Sequence, residues 1–492
     1  MAVIPEPFDA IVTHAHDTRV VVIGGGIAGL IAALECAKVG MPVTVLEAGS
    51  GFGGTVAEAE VAGLRVDVGA TCWSAAPPVR DLADELGLGD LVVTPRTEQT
   101  WIAGLAKGAA APVPRESVLG IPANPWDDGV RRFIGWNGAW RAYLDRLRPP
   151  LTIGKERNLD TLVRSRMGEA VVSRLVAPLT FGRFGIAPHE VDVTVAAPGL
   201  ASALTRTGSL GGAVADLRVG RSPGATVESL RGGMPRLIDA LRERLDGLGA
   251  ELVSGAHVTA IARGADGRWT VELENPDAMP DAAAVEPADI VFVATDQSAA
   301  VRLLSPHADG HLEGMADAAP LREIVTLVVD EPALDAGPRG AEVYAVPGSS
   351  RASGLVHQTA RWEWLSRTAG PGRHVVSVAF DGPADARATA GLDDADVATL
   401  ARAEASALLG VEIGAAAVKG AHRSEFPLAR PASALGHAAD AEAVRASIAV
   451  QPGLAAVGAW LSGSGLTRVV ADAQAEADRV RRSVLWRDAD GS

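Results

Sequence analysis

"VVVIGGGIAGLIAALECAKVGMPVTVLEAG", residues 20–49, decides the fold of this chain. The stretch is apolar enough for a membrane anchor, but a spanning helix needs about 20 unbroken apolar residues. Here three glycines, Gly24 to Gly26, interrupt it after the β-branched run Val20 to Ile23. Ile27, Leu30, Ile31 and Leu34 then recur at helical spacing up to Gly40, and Pro42 opens a second β-branched run, Val43 to Leu46, which ends in Glu47. The order is strand, turn, helix, strand. Within it Gly24, Gly26 and Gly29 carry the pattern G-x-G-x-x-G: the first permits the turn, the second lets backbone approach a pyrophosphate, and the third lets helix pack on strand. The first helical turn, with Ile27 and Ala28, offers N–H groups and a positive dipole end to a diphosphate. Glu47, followed by Ala48, closes the fingerprint, because a carboxylate at the end of the second strand accepts hydrogen bonds from ribose hydroxyls and repels a 2′-phosphate.

The rest of the composition narrows the class. The 492 residues can hold two or three domains. Sixty acidic against 45 basic residues give a net charge of −15, and only Lys38, Lys107, Lys155 and Lys419 are lysines, so no nucleic-acid face is expected. The same charge disfavours binding to anionic lipid, and membrane contact has no support. Cys36 and Cys72 are the only cysteines, giving neither a disulfide framework nor zinc spacing, and "MAVIPEPFDAIVTHAHDTR" lacks the charged start and apolar core of a signal peptide. A cytoplasmic protein is expected. His14 and His16, in what reads as a polar tail, and His307 and His311, in a loop after "RLLSP", are read as solvated histidines, and no metal is expected.

Further glycines specify the cofactor. "LEAGSGFGG" places Gly53 and Gly54 just after the ribose acid, and "VAGLRVDVGA" follows with Gly63, Asp67 and Gly69. These resemble the extended FAD signature of the flavin-containing amine oxidase superfamily, in which the later glycine lies near the flavin ring. "LDTLVRSRMGEAVVSRLVAPLTFG", with Leu159, Leu162, Val163, Val171, Val172, Leu175 and Val176 at helical spacing, resembles the helical region of the oxygen-dependent protoporphyrinogen and coproporphyrinogen III oxidases. "VLGIPANP", "SLRGGMPRLIDAL", "GAHVTAIA" and "RPASALGH" are similar to stretches of those enzymes in the same order. "ADIVFVAT" supplies another buried strand. "PGLAAVGAWLSGSGLTRVVADAQAEADRV" resembles their C-terminal strand, glycine turn and helix, the helix starting at Leu466 or Thr467.

The resemblance implies an α/β fold: a discontinuous Rossmann-type FAD-binding domain (19–75, 226–300 and 448–485), an inserted α+β substrate domain (76–112, 200–225 and 301–447) and a helical subdomain (113–199). Thr55, Val258, Trp460, Gly465 and Leu466 join the glycine fingerprint as expected FAD contacts. The flavin should be non-covalent, since covalent flavins in this superfamily hang from a C-terminal cysteine and none lies beyond residue 72. The chain also departs from the family. Thr55 stands where lysine or arginine is usual, Ser433 where tyrosine is common, and Leu461, Thr467 and Ala473 where tyrosine, proline and glycine are expected.

By resemblance the substrate is a tetrapyrrole, coproporphyrinogen III in preference to protoporphyrinogen. It would lose six electrons in three rounds to dioxygen, with porphyrin and hydrogen peroxide as products. A flat tetrapyrrole needs apolar walls and cationic clamps for its carboxylates; Trp73, Trp101, Phe181 and Phe184 are the candidate walls, and Arg96 and Arg183 the candidate clamps. No catalytic acid or base is named. Two other readings stand beside this one: an oxidase of amine or carotenoid-type substrates, disfavoured by the absence of lysine between Lys155 and Lys419, and a divergent FAD-binding protein with little turnover. The oligomeric state is not fixed by sequence.

Overall fold

The computed structural model describes residues 7–148, 156–219, 226–274, 286–308, 310, 312 and 319–485. Its organising element is a five-stranded, all-parallel sheet in the order Glu251–Ser254, Val43–Glu47, Val20–Ile23, Ile290–Val293, Leu454–Ala456. Both faces are covered, and for that reason the central strands read as continuous β-branched runs instead of alternating. Val20, Val22, Val43, Val45, Ile290 and Phe292 pack under the helices Ile27–Ala37, Pro235–Gly247 and Leu466–Leu485. Val21, Ile23, Leu46, Val291 and Val293 face the opposite core, shared with Trp269, Trp460 and Leu461. The mixed α/β architecture expected from the fingerprint is therefore the one observed, with the predicted helix starts at Ile27 and Leu466.

Side-chain volume explains two of the three fingerprint glycines. A Cβ on Gly24, whose φ is +108°, would stand 2.6 Å from the carbonyl oxygen of Ala294. One on Gly29 would stand 2.0 Å from the carbonyl oxygen of Gly24. Helix Ile27–Ala37 is thus seated against its own preceding turn with no room for a methyl group.

A second, seven-stranded sheet runs Val418–Pro427, Leu321–Asp330, Arg373–Gly382, Gly354–His357, Glu342–Ala345, Thr100–Ala103, Ala110–Pro112. It is antiparallel except where Glu342–Ala345 meets Thr100–Ala103. A helical layer lies over one end of this sheet. Its core joins Phe133, Leu162, Val163, Leu175 and Val176 to Leu200, Leu204, Leu210 and Val214, from helices Leu200–Thr207 and Leu210–Val219. The helical region therefore extends past residue 199 to 219, where sequence analysis had assigned 200–225 to the substrate domain. These two helices bury their apolar stripes among the other helices, not on the sheet.

Two local expectations are also corrected. The segment read as a polar tail is a helix, Pro7–Asp17, whose Ala15 enters the main core and whose His16 ring lies against Gly40. His307 is half-buried and not freely solvated: its Nε2 meets the Ile261 carbonyl oxygen at 2.9 Å and its ring packs edge-on to Trp269 at 5.1 Å. His311 lies outside the described residues. Among those residues no helix is long and apolar enough to cross a membrane.

The Gly29 contact yields a test of the fold by itself. Gly29→Ala should lower unfolding stability by at least ~1–3 kcal/mol through overpacking. Chemical denaturation of the flavin-free protein measures this, and an unchanged midpoint would contradict the packing described.

Candidate active site

The glycine turn and the loop after Glu47 form one concave backbone surface. Gly53 N–H donates to the Gly25 carbonyl at 2.9 Å, and Gly26 and Gly53 form an isolated parallel bridge. Gly54 lies over Gly26, its Cα 3.9 Å from where a Gly26 Cβ would be, and nothing else comes closer. Gly26 has an ordinary φ of −71°. Neither backbone conformation nor protein packing therefore requires glycine there, whereas a ligand approaching the backbone does. Gly26 also caps helix Ile27–Ala37 without a side-chain hydrogen bond, and no acid stands in the first turn, so N–H groups around Ile27 and Ala28 are left for an anion.

Glu47 has a second task that sequence reasoning missed. One carboxylate oxygen accepts from Gly25 N–H and the other from Gly49 N–H, both at 2.7 Å. Each oxygen keeps a lone-pair direction for a ribose hydroxyl, while the carboxylate also braces the turn. Ala48 and Thr55 are exposed, the Thr55 carbonyl accepting from Ala70 N–H at 2.8 Å. That carbonyl explains Gly69, whose Cβ would meet it at 2.1 Å. Val258 is buried in a hairpin pinned beside Glu47 by Ala256 N–H, which donates to the Glu47 carbonyl. Trp460 is buried with its Nε1 unpartnered among the described residues, and Gly465, at φ +115°, stands in open space at the start of the helix that begins with Leu466. An uncapped helix start, an open glycine and an orphaned indole N–H along one edge of the parallel sheet fit a dinucleotide-type cofactor.

Gly69 opens onto a cavity of about 510 Å³, within the usual ligand range of ~300–1,000 Å³. Its floor is the seven-stranded sheet, through Ile324, Tyr344, Leu355, Val356 and Ala379, and its roof is the helical layer, through Gly182, Arg183 and Phe184. Thr71, Cys72 and Ser74 continue the lining from Gly69. Tyr344 is wedged in place, since a Cβ on Gly182 would stand 2.0 Å from its ring and one on Gly354 2.6 Å.

Polar groups converge on one wall. Arg361 donates to Glu342 Oε1 at 2.8 Å; Thr100 and Tyr344 hydroxyls donate to Glu342 Oε2 at 3.2 and 3.3 Å; Arg183 donates to Thr100 Oγ1 at 3.2 Å and stands 3.7 Å from Glu342. Burial works to raise the Glu342 pKa, but the charges of Arg361 and Arg183, aided by the two hydroxyls, outweigh it and hold the carboxyl below its usual range. Burial, then Glu342, pushes the Tyr344 phenol above its usual range. Arg322, also on the wall, is taken up by both oxygens of Asp381 at 2.7 Å. Beside the cavity, Gln358 bridges Ser377, one of its lining residues, and the Asp67 carbonyl. The Asp67 carboxyl accepts from Met234 N–H, and burial pushes its pKa up to about 7.

The sequence profile of the flavin containing amine oxidoreductases matches residues 27–481. The chain belongs to that family. Flavin-dependent oxidoreduction is thus its chemistry. The chain is 27% identical to a coproporphyrinogen III oxidase of Propionibacterium freudenreichii, over 96% of this chain and 92% of that protein. It is 28% identical to one from Mycobacterium bovis, over 51% and 56% respectively. A crystal structure from Exiguobacterium sp. 255-15, provisionally named a protoporphyrinogen oxidase, superposes with a TM-score of 0.80 at 24% identity, covering 94% of this chain and 98% of that one.

Of the predicted substrate-site residues, only Arg183 and Phe184 line the cavity. Trp73 is a core residue, 2% exposed, with its indole N–H on Glu228 at 3.2 Å. Trp101 packs against the core behind the seven-stranded sheet, and Phe181 is half-buried outside the lining. Arg96 is exposed, and its backbone N–H, not its side chain, reaches this region by donating to the Arg361 carbonyl. Glu342, Tyr344, Arg322 and Arg361 were not foreseen. The one signal was "EVYA", whose alternation puts Glu342 and Tyr344 on the same face of a strand.

Two measurements check this construction. Gly26→Val should fold normally yet purify without flavin, whereas Glu47→Arg should lose flavin and also stability, about 1.5–3 kcal/mol or more, because two backbone N–H groups lose a charged acceptor. Absorbance near the flavin bands and denaturation of the flavin-free proteins read the two effects. For Asp67, the folded pKa of about 7 lies above the ordinary 3.8, so its contribution is full below pH ~4 and is lost as pH rises through about 7. Relative to Asp67→Asn, the wild type should lose stability across that window; parallel pH profiles would contradict the burial described.

Proposed function

We propose that this chain oxidises a porphyrinogen, with coproporphyrinogen III preferred over protoporphyrinogen and dioxygen as the final acceptor, giving porphyrin and hydrogen peroxide. The observation that carries this reading is the cavity wall: a partly exposed arginine, Arg183, stands beside apolar sheet and aromatic surface, and among the described residues no lysine lines the space. A planar macrocycle with carboxylate side chains matches that combination, and the likeness to the propionibacterial coproporphyrinogen III oxidase along nearly the whole chain supports it.

The cofactor we assign is FAD, bound without a covalent link. Cys36 is buried inside helix Ile27–Ala37, and Cys72, which does line the cavity, is buried enough that its thiol pKa is raised, which disfavours the reactive thiolate. The bound flavin supplies two-electron acceptance from the substrate and return of those electrons to dioxygen. The protein's part is to place a meso C–H of the macrocycle and to keep water away from it. Tyr344, locked between Gly182 and Gly354, and Phe184 orient the ring plane, while Arg183 fixes its rotation through a carboxylate. Each two-electron round also releases one proton, over the three rounds a net two from pyrrole nitrogen and one from a meso carbon through tautomerisation, and no side chain of the wall is assigned to take it. We divide the chain, on the same reading, into FAD-binding segments 19–75, 226–300 and 448–485 and an intervening substrate-binding part. A reducing cytoplasmic setting fits two free cysteines.

The test is purified holoenzyme with coproporphyrinogen III and protoporphyrinogen in turn, at matched ionic strength, following porphyrin fluorescence and peroxide together. Higher kcat/KM on coproporphyrinogen III, peroxide at three per porphyrin, and at least a ~tenfold loss in Arg183→Ala are expected. Turnover of an amine or a polyene, with none of either porphyrinogen, would overturn the reading. Acid precipitation should leave yellow FAD in the supernatant.

A further inference from the structure

Resting on that reading of the cavity, we propose that Glu342 is a positioning residue that limits the carboxylate-binding capacity of the wall to one, by neutralising Arg361 and leaving Arg183 as the single available cation among the described residues. The geometry separates the two arginines. Arg361 is 6% exposed and makes a direct 2.8 Å contact with Glu342, so its charge is spent inside the protein. Arg183 is 46% exposed, stands 3.7 Å from the same carboxylate, and is held mainly through the Thr100 hydroxyl. Glu342 is in turn locked by Arg361, Thr100 and Tyr344, and so cannot swing away to release Arg361. The third arginine of the wall, Arg322, is closed off by both oxygens of Asp381. The remaining carboxylate of the lining, Glu98, is occupied by Thr226 N–H, the Thr226 hydroxyl and Val227 N–H.

Among the described residues three guanidinium groups face the cavity, yet the ion pairs leave one positive charge able to meet a ligand. One carboxylate of the substrate is therefore gripped in the cavity and any others stay outside the wall. Such a device favours release of product, because a tetra-anion held by two or three free arginines would bind tightly in every oxidation state and gain nothing in rate.

The experiment uses the flavin-loaded protein and two probes: coproporphyrin, read by fluorescence, and benzoate, a mono-carboxylate read by perturbation of flavin absorbance. Glu342→Gln keeps the hydrogen-bonding shape but frees a second cation, so both probes should bind about three- to tenfold tighter, with a steeper salt dependence. Turnover in this variant should show KM and kcat falling together, a split that simple loosening of the wall would not produce. Glu342→Gln with Arg361→Gln restores one free cation and should return affinity to within about twofold of wild type. Unchanged or weaker probe binding in Glu342→Gln at full flavin content would overturn the proposal. Should that variant fail to retain flavin, the double variant decides: wild-type affinity supports a neutralised Arg361, and a loss of tenfold or more makes Arg361 a direct ligand and refutes it. Benzoate binding in the expected order without coproporphyrin binding would leave Glu342 in its role and remove only the tetrapyrrole reading.

Discussion

The structure depends on the seating of one helix against one turn. The Gly29 Cα lies so close to the Gly24 carbonyl that any side chain would intrude, and this contact aims the start of helix Ile27–Ala37 along the edge of the parallel sheet. With no capping side chain and no acid in the first turn, the helix start has unmet N–H groups of the kind an anionic ligand satisfies. Everything else on the cofactor side is braced to that point: Gly53 by its bond to Gly25, Glu47 by its two backbone donors, and the Val258 hairpin by Ala256 on Glu47. The glycines of this region therefore serve different ends. Gly24, Gly29 and Gly69 are demanded by neighbouring backbone and Gly465 by its φ of +115°, while Gly26 is demanded by neither and points to a ligand.

A different logic governs the substrate side. There the cavity is made where a sheet floor meets a helical roof, and its character comes from how charges are cancelled. Arg322 with Asp381 and Arg361 with Glu342 are close pairs, whereas Arg183 is held mainly through the Thr100 hydroxyl, with Glu342 at a longer 3.7 Å. Pairs this well buried contribute little net stability because desolvation offsets their attraction. What they do is fix which cation remains available. Tyr344 carries this arrangement into shape, since the same residue that donates to Glu342 is the one clamped between Gly182 and Gly354.

By itself the sequence determined what depends on neighbours within a few residues: the strand, turn and helix of residues 20–49, the helix from Leu466, the buried strands, and the glycine spacing that names a dinucleotide site. These are set by side-chain period and backbone sterics, which a short window contains. Only the tertiary structure decided which residues meet at the cavity wall. Arg183, Arg361, Glu342 and Thr100 come from four segments spread over more than half the chain, and their meeting follows from a strand order that places Glu342–Ala345 beside Thr100–Ala103. For the same reason Trp73 and Arg96 looked suited to a binding wall by residue type. Trp73 is instead committed to Glu228 and the core, and Arg96 to the exterior, because a side chain's partner is chosen by packing across the sheet and not by its place along the chain.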